Sequence, residues 1–595
     1  MPPSIEVAGE GYQVPRTGVA LLYGCVAVIF LVFVTRFWYL QMLRGDEFTR
    51  LADSNRTRVE QVFASRGVIQ DITGKLLAEN RPAFGLSIIP EDCFDISATL
   101  TQISAWTGVP LDLVQGEFRA HVRPFEPQLL VSGLEFEQVA QIEQELYQWP
   151  GVYIEARQRR FYPKADLFAH ILGYVSEANE KEIEQDEALS MGDLVGKSGL
   201  EIKFESVLRG KKGRNVVEVD AIGRQLLRTC EVQPLAGKSL TLALSADLQK
   251  IASDALLEEV GSVVVMEAKT GKLRALVTTP AYDNNLFTAR LSREDWSKLQ
   301  NDPRHPLQNR TIQSVFPPGS VWKLIIVGLL LEQKIPPSAT VFCNGKVTLG
   351  RREFRCWKAG GHGTVDMMRA LVQSCDCYFY EMSQRVGIDN IERYAKACGF
   401  GSPTGIDLPH EQGGLVPGKD WKRRRFNEPW QGGETLNVSI GQGSTLVTPL
   451  QMATFTAALL NEGKILKPQL LDDAEPVVTG TLPMEARHRE FLLDSMHETA
   501  VGGTARRINR KDAIMGGKTG TAQVVKIGAV RLKKHQMAYK HRDHAWITTW
   551  GIKDGKEYVV VVMVEHGGGG GSVAGPVAQK VYTALFGPDQ GAPVE

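Results

Sequence analysis

The sequence predicts an α/β fold of the α+β kind: an antiparallel sheet built from both ends of a C-terminal domain and covered by helices. A mixed segment of short strands and helices and one N-terminal apolar helix of membrane-span length precede it. Three observations predict this. From about Leu240 onward, valine-rich hairpins stand at both ends of a long, mainly helical stretch, and strands at the two ends of one domain close a single sheet that the helices between must cover. An uncharged apolar run near the N-terminus has the length of a membrane span. The 595 residues also exceed a single core, at about 150 residues per domain.

The span comes first. "GVALLYGCVAVIFLVFV", Gly18 to Val34, carries no charge and is followed by Phe37, Trp38 and Tyr39, an aromatic belt for a membrane interface. Only the bulky "TRFWYL" follows, with no small-x-small cleavage site, so the run is expected to remain as an anchor. Arg16, Glu6 and Glu10 before it and Arg36 and Arg44 after it leave its orientation open. Beyond the polar helical stalk "LQMLRGDEFTRLADSNRTR", Val59 to Pro234 mixes short strands and helices without a catalytic cluster. Sixty-eight basic residues against 68 acidic ones argue against a nucleic-acid-binding protein, and the one basic run, Lys422 to Arg425, fits a solvated face.

Two glycine-rich stretches imitate nucleotide motifs. "GDLVGKS", Gly192 to Ser198, has three residues between its glycines where a phosphate loop needs four. "HGGGGGS", His566 to Ser572, lacks the downstream acidic residue of a dinucleotide site and fits a strand-to-helix turn. The sheet is announced by "GSVVVMEAKTGKLRALVTTP", two β-branched runs joined by a Lys-Thr-Gly turn, and later by "GKTGTAQVV", "HAWITTWGI" and "EYVVVVMVE".

"FPPGSVWKLIIVGLLLEQ", Phe316 to Gln333, runs from a Pro-Pro-Gly loop into a helix that is apolar on nearly every side, a pattern of burial. Its only early polar side chains, Ser320 and Lys323, are three apart and share a face. The helix N-terminus favours the negative charge that develops when a serine attacks a carbonyl. Ser320 is the only serine with a lysine three residues on. An active serine of this kind needs a Ser-x-Asn-like loop and a Lys-Thr-Gly strand after it. Order rejects "SAD" at Ser245 and "KTG" at Lys269, and leaves "SCD", Ser374 to Asp376, and "KTGT", Lys518 to Thr521.

With these motifs the chain resembles a class B penicillin-binding protein, most of all those of rod elongation. The resemblance covers nearly the whole chain: "SRGVIQDITGKLLAEN", "RRFYPKADLFAHILGYV", "GKSGLE", "FPPGSVWK", "WKAGGHG", "NVSIGQG" followed by "TPLQMA", and "GKTGTAQ". It implies a peptidoglycan D,D-transpeptidase that crosslinks stem peptides through an acyl-serine during cell elongation and rod-shape maintenance, and that β-lactams target. It implies a cytoplasmic tail at 1–16, an anchor at 17–37, a non-catalytic pedestal or dimerisation domain at 38–235, a transpeptidase domain at 236–587 and a tail at 588–595. The implied location is the inner membrane, single-pass, with a periplasmic catalytic domain. Implied partners are stem peptides on lipid-linked or nascent glycan, a polytopic SEDS-family glycosyltransferase and other rod-complex proteins, with no nucleic acid.

By the same resemblance, Ser320 attacks the penultimate D-Ala carbonyl. Lys323 is the general base, neutral only if burial and the Lys518 cation depress its pKa. Ser374 with Lys518 relays a proton to the departing D-Ala. Thr519, Gly520 and Thr521 bind substrate, the two hydroxyls holding its terminal carboxylate, and the Ser320 and Thr521 amides form the oxyanion hole. Asp376 departs from the asparagine common in the family, and an ionised carboxylate there would hold the lysines protonated. The alternatives are a septal-type class B transpeptidase, a D,D-carboxypeptidase, a β-lactamase-like hydrolase and a non-enzymatic wall scaffold. A class A β-lactamase would place a water-activating Glu-x-x-Leu-Asn; in "GETLN" Gly433 occupies the glutamate position and Glu434 comes one residue late.

The chemistry asks for no cofactor, yet five of the eight cysteines, Cys343, Cys356, Cys375, Cys377 and Cys398, fall within 56 residues. Cys343, Cys356, His362 and Cys375 supply the three thiolates and one imidazole of a closed tetrahedral zinc site. Disulfides or buried free thiols are the competing expectation for an extracytoplasmic domain.

Overall fold

A computed structural model describes residues 16–46, 48, 57–118, 127–190, 192–219, 225–288, 291–524 and 536–589. Most of the expected N-terminal tail, parts of the polar stalk and the end of the C-terminal tail lie outside the described residues. The chain divides into two compact units, 1–64 with 210–236, and 65–209 with 237–595.

In the first unit, α1 (Arg16–Trp38) continues through a π turn, Tyr39–Leu43. Its apolar side chains stand exposed, and an 18-residue window within Thr17–Leu43 has a mean hydropathy of 2.5. Length and composition suit a span, because a helix satisfies its own backbone where no water can. Strands Thr57–Val62, Gly213–Val219 and Gln225–Val232 form a three-stranded antiparallel sheet with Gly213–Val219 in the middle.

In the second unit, strand Leu76–Ile88 pairs with Gln128–Leu134 on one side and Val152–Phe161 on the other. Leu86, Ile88, Val131 and Val152 pack with Leu100 and Ile103 of helix Ile96–Thr107 and with Val139 and Ile142 of helix Phe136–Glu145. Three motifs with no chemical role meet nearby. Arg66 of "SRGV" and Arg160 of "RRFYP" both donate to the buried Glu201 of "GKSGLE", at 2.7 and 2.8 Å, and Arg66 also reaches Glu205 at 2.7 Å. Burial pushes the Glu201 carboxyl up, but the Arg66 and Arg160 charges outweigh it and hold the group below its usual range.

The central sheet has the order β2-β1-β5-β4-β3, all antiparallel: β1 (Gly261–Glu267), β2 (Leu273–Thr279), β3 (Ile514–Ala522), β4 (His544–Lys553) and β5 (Lys556–Val564). The apolar runs in β1 and β5 are continuous rather than alternating because both faces are covered. Val263, Val265, Val560, Val562 and Val564 face α2 (Ala246–Leu256) and α7 (Gly575–Phe586). Val264, Met266, Val559, Val561 and Met563 face the larger core containing α3 (Lys323–Glu332), α4 (Asp376–Ala397) and α6 (Pro449–Leu460). Each such side chain contributes about 1.5–3 kcal/mol on burial. α3 is buried from Lys323 to Leu331, as its uniform apolarity requires. Sheet from both ends, helices between: the expected fold class is the observed one.

Candidate active site

The loop that carries Ser320 is fixed before it reaches the helix. Phe316 and Val447 exchange both backbone hydrogen bonds at 3.0 Å, and a 3-10 turn, Gly319–Trp322, then carries Ser320 into α3, which begins at Lys323. Gly319 has φ +56°, in the left-handed region, and a Cβ there would lie 2.7 Å from the Thr521 carbonyl oxygen. Only glycine lets this loop touch β3 so closely.

Ser374 comes from the connection into α4 and has φ +55°, a conformation that costs a non-glycine residue energy and recurs at functional sites. Its Oγ accepts from Lys323 Nζ at 3.3 Å and from Lys518 Nζ, on β3, at 3.1 Å. Lys323 also donates to the Ser374 carbonyl at 3.0 Å and to Asp376 Oδ1 at 2.6 Å. Three acceptors, one of them a carboxylate, match the three protons of an ammonium. Lys518 has only neutral partners, Ser374 Oγ and, at 3.0 Å, the Thr519 carbonyl. Complete burial, and then the Lys323 charge, push the Lys518 amine well below its usual range, against a smaller lift from Asp376. The sequence expectation places the neutral amine at Lys323; the geometry gives Lys323 the Asp376 carboxylate at 2.6 Å and leaves Lys518 with the burial and neighbouring charge that depress its pKa.

The structure thus brings Lys323, Ser374, Asp376 and Lys518 together in the core, with Ser320 one turn before Lys323. Thr519 Oγ1 donates to Thr504 Oγ1 at 2.7 Å, and a Cβ on Gly520 would lie 2.8 Å from the Pro318 carbonyl, so β3 is packed directly on the nucleophile loop. Trp357, the first residue of "WKAGGHG", has a role that sequence reasoning missed. Its backbone N–H donates to Asp376 Oδ2 at 2.9 Å and its indole N–H to the Ser374 carbonyl at 3.1 Å, so it orients both partners of Lys323. An exposed aromatic beside a glycine-rich run was the available signal. Glu434 is taken by Lys422, at 2.8 Å, and by the Gln431 N–H of its own helix cap, which leaves no water-activating carboxylate in "GETLN".

Behind Asp376, the donor atoms of Cys343, Cys356, His362 and Cys375 all lie within 4.8 Å of one another. His362 Nδ1 is 3.5 Å from Cys343 Sγ and 3.6 Å from Cys356 Sγ. Tetrahedral zinc, with bonds of about 2.3 Å to sulfur and about 2.0 Å to nitrogen, spans S···N edges of about 3.6 Å, so this donor set fits the ion. All eight cysteines are free thiols. Hydrogen bonds among these thiols push the Cys356 sulfur down and Cys375 and Cys377 up, so the case for the ion rests on the donor geometry.

A serine opening a buried helix, two lysines and a second serine joined by hydrogen bonds from the next turn of that helix, and a sheet edge alongside fit a serine-type acyl-transfer enzyme. Residues 261–583 match the penicillin-binding protein transpeptidase domain and residues 61–242 the penicillin-binding protein dimerisation domain. The chain belongs to the penicillin-binding protein transpeptidase family, in its class B branch. It is 34% identical over 588 residues to the peptidoglycan D,D-transpeptidase MrdA of Acinetobacter baumannii, covering 94% of this chain and 86% of that one. Among solved structures it is similar to penicillin-binding protein 2 in complex with MreC from Helicobacter pylori, with a TM-score of 0.80, 30% identity, and coverage of 89% of this chain and 98% of that one. A structure described as the coordination of polymerization and crosslinking by a peptidoglycan synthase complex matches at a TM-score of 0.72 and 29% identity, over 98% of this chain and all of that one.

Proposed function

We infer that this protein is a peptidoglycan D,D-transpeptidase of cell elongation. The observation that carries the reading is the convergence of Lys323, Ser374 and Lys518, with Ser320 one turn before Lys323, in a chain whose relatives bear that activity in their names. Ser320 attacks the penultimate D-Ala carbonyl of a stem peptide and becomes the acyl-serine. Its proton passes by way of Ser374 to Lys518, the neutral amine, and from there to the departing D-Ala nitrogen. Lys323, paired with Asp376 Oδ1 at 2.6 Å, lies one turn after Ser320 and orients Ser374. The Ser320 and Thr521 amides hold the oxyanion, and Thr519 and Thr521 the terminal carboxylate. An acceptor amine then takes the acyl group.

In this reading 1–16 is cytoplasmic, 17–37 is the anchor, 38–235 the pedestal, and 236–587 the transpeptidase domain on the outer side of the inner membrane. Relatives are described with MreC and in a synthase complex, which supports docking to a glycan polymerase and other rod-complex proteins. The deciding experiment joins the full chain to a membrane glycan polymerase and lipid-linked donor, and analyses the muropeptides. Crosslinked dimers that vanish with Ser320→Ala are expected. Free D-Ala without crosslinks would make the protein a carboxypeptidase instead.

Cys343, Cys356, His362 and Cys375 hold a structural zinc ion in this proposal, closed to substrate and without part in the reaction. Zinc in this site pins Cys356 and Cys375, whose chain neighbours Trp357 and Asp376 meet in the hydrogen bond that orients the carboxylate on Lys323. Elemental analysis of protein purified without chelator is expected to give about one zinc per chain, and chelation to lower the melting temperature. Metal-free protein with a Cys343–Cys356 disulfide in peptide maps would reverse the assignment.

A further inference from the structure

The central sheet ends at β3. One edge of β3 pairs with β4, from Ile514↔Ile552 to Ala522↔His544; the other carries no strand among the described residues and faces the loop that carries Ser320. An open strand edge is a template for an extended peptide, which pairs through its own N–H and C=O groups. Yet the end of this edge is already occupied. The Gln442 carboxamide donates to the Thr521 carbonyl at 3.2 Å through Nε2, and its Oε1 accepts from the Gln523 N–H at 3.3 Å. One side chain supplies both the donor and the acceptor that an added strand would bring.

The same short loop also grips the nucleophile. The Gly441 carbonyl accepts from the Gly319 N–H at 2.9 Å, one residue before Ser320. Gly441 has φ +67°, and a Cβ on it would lie 2.3 Å from the Gly319 carbonyl oxygen. Its base is tied to the end of α5 (Gly432–Ser439): the Gly441 N–H donates to Val438 and the Gln442 N–H to Asn437, both at 3.0 Å. Three backbones that are far apart in sequence therefore meet at one point, through residues 319, 441 and 521.

We propose that Gln442 is a positioning residue for acyl transfer: with Gly441 it sets the spacing between the Ser320 and Thr521 amides, and it ends the peptide-binding edge of β3 at Thr521. This deepens the transpeptidase reading and rests on it. The two amides must both aim at one oxygen that exists only in the transition state, and neither is held to the other by ladder hydrogen bonds. Gln442 supplies that link without touching substrate. Loss of the link leaves ground-state binding to the rest of β3 in place and degrades the alignment, so the effect falls on the chemical step.

The test is stopped-flow acylation of the full chain by a chromogenic cephalosporin, which separates the pre-acylation dissociation constant from the acylation rate constant. Gln442→Met keeps the length without either polar end. Gln442→Glu keeps the acceptor for Gln523 and turns an oxygen onto the Thr521 carbonyl. In both, the acylation rate constant is expected to fall about ten- to a hundredfold, with the dissociation constant within about threefold of wild type. An unchanged rate constant in either folded variant overturns the proposal, as does a loss confined to the dissociation constant. Faster acylation overturns it too, because Gln442 would then be competing with the peptide for Thr521. Misfolding of both variants would make Gln442 a purely structural residue and overturn the positioning role as well. If the wild type is never acylated, the transpeptidase reading itself fails; if it is acylated at Ser320 and the variants match it, only the role of Gln442 does.

Discussion

Ser320→Ala is expected to abolish covalent labelling by a fluorescent penicillin, lowering it by about 10⁴-fold or more, while the protein remains folded. In the proposed mechanism the serine supplies the atom that bonds to the acyl group, so no other residue can rescue the step. The turn that carries it is held by backbone contacts, Gly319 to Gly441 and Phe316 to Val447, and these survive the loss of one hydroxyl. In the wild type the label should also persist. Glu434 is bound to Lys422 and capped into its own helix, and Gly433, at the position a class A β-lactamase gives to its water-activating glutamate, packs on Phe354. Following labelled protein over time by gel fluorescence checks both points. Equal labelling of Ser320→Ala would remove the nucleophile assignment, and release at an ordinary turnover rate of about 10 per second would turn the reading towards a hydrolase.

The parts of this site that were legible in the sequence are those whose signal is local. A helix apolar on every side must be buried, and a lysine in its first turn then stands out. Lys518 opens a motif inside a strand whose valine-rich neighbours already predict a sheet. The four cysteine and histidine residues were legible as a set of donors, though their spacing follows no short metal-binding signature; the hairpin Lys346–Leu349/Arg352–Arg355 and the glycine-rich loop that fold between them do the gathering.

What was not legible depends on direction and on long-range pairing. The choice of neutral lysine turns on one carboxylate: Asp376 lies two residues after Ser374, but its Oδ1 points to Lys323 and its Oδ2 to Trp357. Nothing in the spacing distinguishes Lys323 from Lys518 as its partner. Gln442 reaches its strand across 79 residues of chain, and Arg66 reaches Glu201 across 135, so neither contact has a periodic or local signature. Ile69, Leu77, Phe168, Leu172 and Leu200, from the segment assigned to the pedestal, share one apolar cluster with Val264, Leu276 and α3. Composition does not change at such a boundary, because the same residue types fill the core on both sides of it.

Replacing Lys518 by methionine should cost activity and add stability, and the two effects have one cause. The amine is completely buried with no carboxylate of its own, and the neighbouring Lys323 charge adds to the burial penalty on its protonated form. Methionine of similar length fills the same space without that penalty. The wild type makes a pH-dependent sacrifice: the folded-state pKa lies well below 10.5, the ordinary value that the unfolded chain restores. Between those two values the unfolded state binds more protons, so wild-type stability should rise with pH across that window. Lys518→Met should lack this rise and melt higher than wild type at neutral pH. Acylation should follow the same group from the other side. If Lys518 takes the proton from Ser320, the wild-type acylation rate should climb with pH through the depressed Lys518 pKa and level off well before 10.5. Lys518→Met should lose about 10³-fold and flatten that limb. Asp376→Asn gives the sign independently: the Asp376 charge raises the Lys518 pKa, so its removal should move the rising limb to lower pH. Acylation rates measured against pH for the three proteins, with melting curves over the same range, test the assignment together. A Lys518→Met variant that keeps a wild-type rising limb would return the base to Lys323, and one that melts lower than wild type at neutral pH would show that the buried amine is compensated.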